Sequence, residues 1–102
     1  MTEIRVLYFE GCPNGQATFD LVRSVVEETG STARVSLVEV EGPEQVEALR
    51  FLGSPTVQVN GIDIEPSRRN DSRFAFACRV YRSSEGFQGV PPTALVLSAV
   101  DE

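Results

Sequence analysis

The first forty residues constrain this chain most, because they read as strand, helix and strand in immediate succession. Ile4 to Phe9, IRVLYF, is rich in β-branched and aromatic residues, the composition of a buried strand. Beyond Glu10-Gly11, apolar positions recur at helical spacing. Val22, Val25, Val26 and Thr29 form one stripe, with Thr18 or Phe19 a turn earlier, while Arg23, Glu27 and Glu28 face away. Pro13 suits a first-turn position, where its missing N–H costs nothing, and Gly30 suits the C-terminal cap. The spacing therefore predicts a helix from about Pro13 to Thr29, with Cys12 at its N-terminal edge. Ala33 to Val40, ARVSLVEV, follows as a second strand with Val35, Leu37 and Val38 inward and Arg34, Ser36 and Glu39 outward. Such a unit gives a parallel strand pair joined by a right-handed crossover.

The remainder adds to that sheet. Gly42-Pro43 opens a short helix, Glu44 to Phe51, with Val46, Leu49 and Leu52 on its apolar side, and Gly53 stops it. Ser54-Pro55 then leads into a third strand, Thr56 to Asn60. Asn60-Gly61 signals a tight hairpin turn, and Ile62 to Glu65 is the returning fourth strand. Residues 66–90 read as a loop, a short strand or turn of helix near 76–82, and another loop. After Pro91-Pro92, Leu95, Val96, Ala99 and Val100 share one helical face. The order β-α-β-α-β-β-α is that of an α/β sandwich, a mixed four-stranded sheet between helices, in a single domain over residues 1–102. Tyr8, Phe9, Phe51, Phe74, Phe76 and Tyr81 are expected in or near its core.

Charge narrows the partners. Fifteen acids against nine bases give a net charge of −6, and every base is arginine. Residues 1–65 carry 11 acids and 4 arginines, a balance of −7, and residues 66–102 carry 4 acids and 5 arginines, a balance of +1. An acidic chain does not favour nucleic acid. The five late arginines, Arg68, Arg69, Arg73, Arg79 and Arg82, are expected to form a solvated loop face, the alternative being contact with an anionic ligand or partner. The apolar run Ala94–Val100 holds seven residues, against about 20 for a membrane span. The N-terminus shows no basic region followed by a long apolar stretch, so the expected setting is cytoplasmic, away from membranes.

The chemistry rests on two cysteines, Cys12 and Cys78, in a chain with no histidine. The missing histidine removes most zinc sites and any Cys-His catalytic pair, so neither a metal nor a cofactor is expected. Cys12 stands where strand gives way to helix, and the unpaired N–H groups of a first turn favour the thiolate, the reactive form. The alternative is a buried structural cysteine. Cys78 lies in an apolar stretch and is expected to pack as a small hydrophobe. Its alternatives are a remote resolving thiol for Cys12, which requires Cα atoms within about 7 Å, or a partner in holding a soft metal. Ser54-Pro55-Thr56 precedes the third strand, where the residues alone allow a plain strand-start proline.

Three blocks of the sequence resemble small bacterial thioredoxin-like proteins, some of them selenoproteins and some labelled alkylmercury-lyase-like. They are Phe9-Glu10-Gly11-Cys12-Pro13, Gly53-Ser54-Pro55-Thr56-Val57-Gln58-Val59-Asn60-Gly61, and Cys78-Arg79-Val80-Tyr81 followed by Gly89-Val90-Pro91-Pro92. The resemblance implies a thioredoxin-like fold, a reactive Cys12, and a cis-proline at Pro55 beside the cysteine loop. Pro13, Ser54, Pro55 and Thr56 would then contact substrate. It implies thiol–disulfide exchange with a thiol or disulfide partner such as glutathione. One departure matters. The common motif is C-x-x-C, and this chain reads Cys12-Pro13-Asn14-Gly15, so the ordinary dithiol cycle lacks its second thiol. The expected activity is therefore that of a monothiol oxidoreductase, resolved by an external thiol or by Cys78. The competing expectations are a non-catalytic binder of a soft metal, organomercurial or partner protein, and an interaction domain in which Cys12 is incidental.

Overall fold

A computed structural model of the chain describes residues 2–84 and 86–101. It is a mixed α/β structure. Strand β1 (Glu3–Tyr8) leads into helix α1 (Asn14–Thr29), β2 (Arg34–Glu39), α2 (Pro43–Ala48), β3 (Thr56–Val59) and β4 (Ile62–Asp63). A single 3₁₀ turn over Pro66–Arg68 follows, then a small hairpin of β5 (Tyr81–Ser83) and β6 (Gly86–Gln88), and finally α3 (Thr93–Asp101). The main sheet has four strands in the order β2-β1-β3-β4. β1 runs parallel to β2 and antiparallel to β3, and β3 is antiparallel to β4.

The pleat of β1 sorts its side chains between two cores. Ile4 and Val6 lie opposite Val59 and Val57 across β3 and join Val22 and Val25 of α1 and Val96 and Ala99 of α3. Leu7 points to the other side, against Val40, Val46 and Phe51. Helices α1 and α3 thus cover one face of the sheet and α2 the other. β2 departs from clean alternation: Val35 and Leu37 pack against the first core, Val38 against the second, and the strand is half-buried along most of its length.

Several expectations are corrected. The segment 66–90, read as loops around one short element, contains the β5–β6 hairpin, paired from Tyr81↔Gln88 to Ser83↔Gly86. Phe76, expected in the core, is half exposed at 50%, while Phe51 and Tyr81 are fully buried. The second helix stops at Ala48 rather than Phe51, because Arg50 takes a positive φ of 56° and turns the chain toward Gly53. Among the described residues no helix is long and apolar enough to cross a membrane.

Candidate functional site

The cysteine loop is a tight turn between β1 and α1. The Cys12 backbone N–H donates to the Phe9 carbonyl at 3.2 Å, and Pro13 is the N-cap residue of α1. No side chain caps this end, and the first turn of α1 carries no acidic residue. Cys12 is half-buried and its thiol is free, while Glu10, Gly11 and Pro13 around it are exposed. Cys12 thus stands immediately before the N-cap of a 16-residue helix.

Position 15 decides what kind of thiol site this is. Gly15 is buried, and a Cβ built there would lie 2.8 Å from Tyr8 Cβ and 2.9 Å from Tyr8 Cγ. Those are the root of the Tyr8 side chain, not its mobile end. Helix α1 presses its first turn onto β1 so closely that only hydrogen fits between them. A cysteine three positions after Cys12 would have no place for its sulfur, so the single-thiol sequence is matched by a steric closure.

Across the sheet, Leu7 of β1 pairs with Thr56 of β3, so the Ser54-Pro55 segment lies beside the end of β1 from which the cysteine loop springs. The Ser54–Pro55 peptide bond is cis. Ser54, Pro55 and Thr56 are all buried. The Ser54 backbone is not open: its N–H donates to the Ala77 carbonyl at 2.8 Å, and its carbonyl accepts from the Arg79 N–H at 2.9 Å. These two bonds make an isolated parallel bridge between Ser54 and Cys78. Gly53 permits the approach, since at φ 115° a side chain there would be strained and its Cβ would lie 2.9 Å from Arg79 Cβ. Further upstream, Phe76 stacks on Phe9 with ring centroids 4.8 Å apart. The cysteine loop, the Ser54-Pro55-Thr56 segment and residues 76–79 thus meet at one end of the sheet.

Cys78 is exposed, which corrects the expectation that it packs as a small hydrophobe. The residue that goes inward is its neighbour. Arg79 is 3% exposed and lies among the strands' polar groups. Its Nη1 donates to Asp63 Oδ2 at 2.7 Å and to Thr56 Oγ1 at 3.3 Å, and its Nη2 donates to Asp63 Oδ1 at 2.9 Å and Glu65 Oε1 at 2.8 Å. The guanidinium sits 4.4 Å over the Tyr81 ring, and the Tyr81 hydroxyl donates to the Pro55 carbonyl at 2.6 Å. Burial works against the Arg79 charge, but the hydrogen bonds it donates to Asp63 prevail and hold its pKa above the usual arginine value. Burial likewise pushes the Tyr81 phenol up. The network ties residues 77–81 to the β3–β4 hairpin through charge-assisted bonds. Arg79, Asp63 and Glu65 anchor the segment beside the site, a role that sequence reading missed, and Tyr81 was expected only as a core residue. In the fold Cys78, Arg79, Val80 and Tyr81 are exposed and buried by turns, an alternation that their residue types do not announce.

The other late arginines are mostly engaged at the surface. Arg68 and Arg73 both bind Asp71 at 2.8 Å, Arg69 donates to the Asp63 carbonyl at 3.1 Å, and Arg82 lies 5.9 Å over the Phe87 ring. Hydrogen bonds from Arg73 hold the Asp71 carboxyl well below the usual carboxylate range. The expected solvated face therefore holds for Arg69, Arg73 and Arg82 and fails for Arg79. Among the described residues, the buried side-chain atoms Thr18 Oγ1, Ser54 Oγ and Arg79 Nε have no hydrogen-bond partner. Among the described residues no group of three or more His, Cys, Asp or Glu side chains is arranged to hold a metal. Comparison with protein-family models, with curated proteins and with solved structures found no match.

Proposed function

We propose that this chain is a thioredoxin-like thiol–disulfide exchange protein whose nucleophile is Cys12. The observation that carries the reading is the position of Cys12: a free, half-buried thiol on the turn from β1 into α1, at the end of the sheet where Ser54-Pro55-Thr56 begins β3. The sheet order β2-β1-β3-β4, with one parallel and two antiparallel pairings and helices on both faces, supports the thioredoxin-like assignment. The closed space at Gly15 supports a monothiol cycle.

In that cycle the Cys12 thiolate attacks one sulfur of a disulfide RS–SR. The Cys12 Sγ–S bond forms as the S–S bond breaks, and RS⁻ leaves to take a proton from solvent. A second thiol, as R′S⁻, attacks the outer sulfur of the mixed disulfide, forms R′S–SR and returns Cys12 as thiolate. Pro13, Ser54, Pro55 and Thr56 shape the surroundings of the sulfur. The resolving thiol is external and small, glutathione being the simplest candidate in a cytoplasmic setting. Cys78 is the second possibility, supported by its exposure and its bridge to Ser54.

Mass spectrometry after treatment with oxidised glutathione tests the reading. A glutathione adduct on Cys12, absent from Cys12→Ser, is the expected result. Modification of Cys78 alone, or of neither thiol, rejects it. Thiol trapping of the purified chain separates the two resolving routes, since a Cys12–Cys78 disulfide forms only if Cys78 resolves.

A further inference from the structure

Cys12 and Ser54 lie at the same end of the sheet, so an extended polypeptide laid along that end to reach Cys12 would meet the Ser54 edge. An extended polypeptide would bind there by adding its backbone to an unpaired edge, which needs a free N–H and a free carbonyl. Ser54 offers neither. Its N–H and carbonyl are both satisfied by Ala77 and Arg79 of the same chain, at 2.8 and 2.9 Å.

This occupancy is anchored from behind. Between the two bridging residues the Cys78 side chain faces out, and the next side chain, Arg79, goes in, where it meets Asp63 twice and Glu65 once within 2.9 Å. The Tyr81 hydroxyl, 2.6 Å from the Pro55 carbonyl, ties the segment down again two residues on. On the other side Phe76 is stacked on Phe9, next to the cysteine loop. Gly53 leaves the space that lets Arg79 come this close. A partner strand could take the Ser54 edge only by lifting Ala77–Arg79. Exchange of the two backbone bonds would be nearly even, but the lift also withdraws Arg79 from the buried Asp63 carboxylate and the half-buried Glu65 carboxylate.

We propose that Ala77–Arg79 is a built-in strap over the Ser54 edge, and that it restricts Cys12 to disulfides of small thiols while excluding those within extended polypeptides. This rests on the exchange activity proposed above. A small disulfide needs only the exposed side of the Cys12 turn, where Glu10, Gly11 and Pro13 leave the approach open, and makes no demand on Ser54. The covalent step is unchanged: Cys12 Sγ bonds to one sulfur of the small disulfide, the other sulfur departs as a thiolate, and a second small thiol restores Cys12.

The test compares, for the full chain, the rate of Cys12 with oxidised glutathione and with a disulfide-linked dimer of an unstructured peptide bearing a central cysteine. Each rate is divided by that of N-acetylcysteine with the same disulfide, which removes differences in intrinsic reactivity. After this correction the peptide disulfide is expected to react roughly a hundredfold more slowly, the order set by breaking a buried ion pair. Equal corrected rates would overturn the strap and leave the Cys12 chemistry intact. If neither disulfide reacts, the exchange reading itself fails and the strap proposal goes with it. The triple variant Asp63→Asn/Glu65→Gln/Arg79→Gln removes the ionic anchor without stranding a charge. It should speed the peptide reaction by about tenfold or more and leave the glutathione rate unchanged; no gain with peptide overturns the proposal. Hydrogen exchange covers the case in which that variant does not fold. In a peptide adduct forced onto wild-type Cys12 with an activated disulfide, the Ser54 and Arg79 amides should stay as protected as in the free protein. Their release on adduct formation would show an edge that yields to polypeptide, against the proposal.

Discussion

Two regions enclose Cys12, and they are held by opposite means. On one side α1 is pressed onto β1, with Gly15 against Tyr8 and a stripe of Val22 and Val25 behind it. That contact is apolar, close and without alternatives: it works because there is no room. On the other side residues 76–81 are held by charge, with Arg79 between Asp63 and Glu65 and over Tyr81. An apolar contact loses stability gradually as atoms are removed, whereas a buried ion pair turns strongly unfavourable when one member is lost. The first region should therefore fail by overfilling and the second by unpairing.

The sharpest break is Arg79→Met. It keeps much of the side-chain volume and removes the guanidinium that bridges Asp63 and Glu65, leaving the buried Asp63 carboxylate with the Glu65 backbone N–H still donating to it but without its paired charge. A loss of about 3–5 kcal/mol in unfolding free energy is expected in denaturant titrations. A loss below about 1 kcal/mol would mean that residues 77–81 are held by Tyr81 and the backbone bridge instead, and the contrast between the two regions would go.

Gly15 gives the matching experiment on the apolar side. In an exposed helix, glycine to alanine gains about 1 kcal/mol from helix propensity. Here the added carbon meets the root of Tyr8 at 2.8 Å, so Gly15→Ala should destabilise by about 1–3 kcal/mol. Gly15→Cys should do at least as badly and should form no disulfide with Cys12 under mild oxidation. A stable Gly15→Cys chain that cycles as a dithiol would show that α1 can lift from β1, and that the missing second thiol is an accident of sequence.

How far each region could be read in advance follows from the same difference. The helix over Asn14–Thr29 and the strand beneath it were legible because a continuous apolar core imposes its period on the sequence. The need for glycine at position 15 was not, because it comes from how closely two elements approach, which no local pattern records. The orientation of residues 76–81 was not legible. Phe76 and Cys78 were expected inward, yet both are exposed, and Arg79, expected on a solvated face, is buried. The carboxylates of Asp63 and Glu65 reverse the preference, and their location depends on the β3–β4 hairpin folding against this segment. The β5–β6 hairpin escaped notice because strands of three residues, mostly exposed, carry no periodicity to detect.

Tyr81 tests the polar side through pH. Its phenol is held above the ordinary tyrosine value by burial, and Asp63 and Glu65 push in the same direction against Arg79. A raised folded pKa means the native state keeps a proton that the unfolded chain loses. The contribution is fully present below the unfolded value near pH ~10 and is lost as pH rises beyond it toward the folded value. Unfolding free energy should fall by about 1.4 kcal/mol per pH unit in that window. Tyr81→Phe should flatten this slope while costing about 1–3 kcal/mol at neutral pH, because the Pro55 carbonyl loses its donor. An unchanged alkaline slope would assign the loss to another group and remove Tyr81 from the anchor.

The smallest effect separates the Ser54 backbone from its side chain. The backbone makes the bridge to Ala77 and Arg79, whereas the hydroxyl is buried without a hydrogen-bond partner. A buried donor left unsatisfied is a cost already present in the folded protein, so Ser54→Ala should be neutral or stabilising by up to about 1 kcal/mol. It should also leave the amide protection of Arg79 untouched, since the carbonyl that accepts from it remains. If Ser54→Ala instead destabilises by about 2 kcal/mol and loosens the Arg79 amide, the hydroxyl has a partner in solution, most simply an ordered water, and the strap is held at its centre as well as by its buried ion pair.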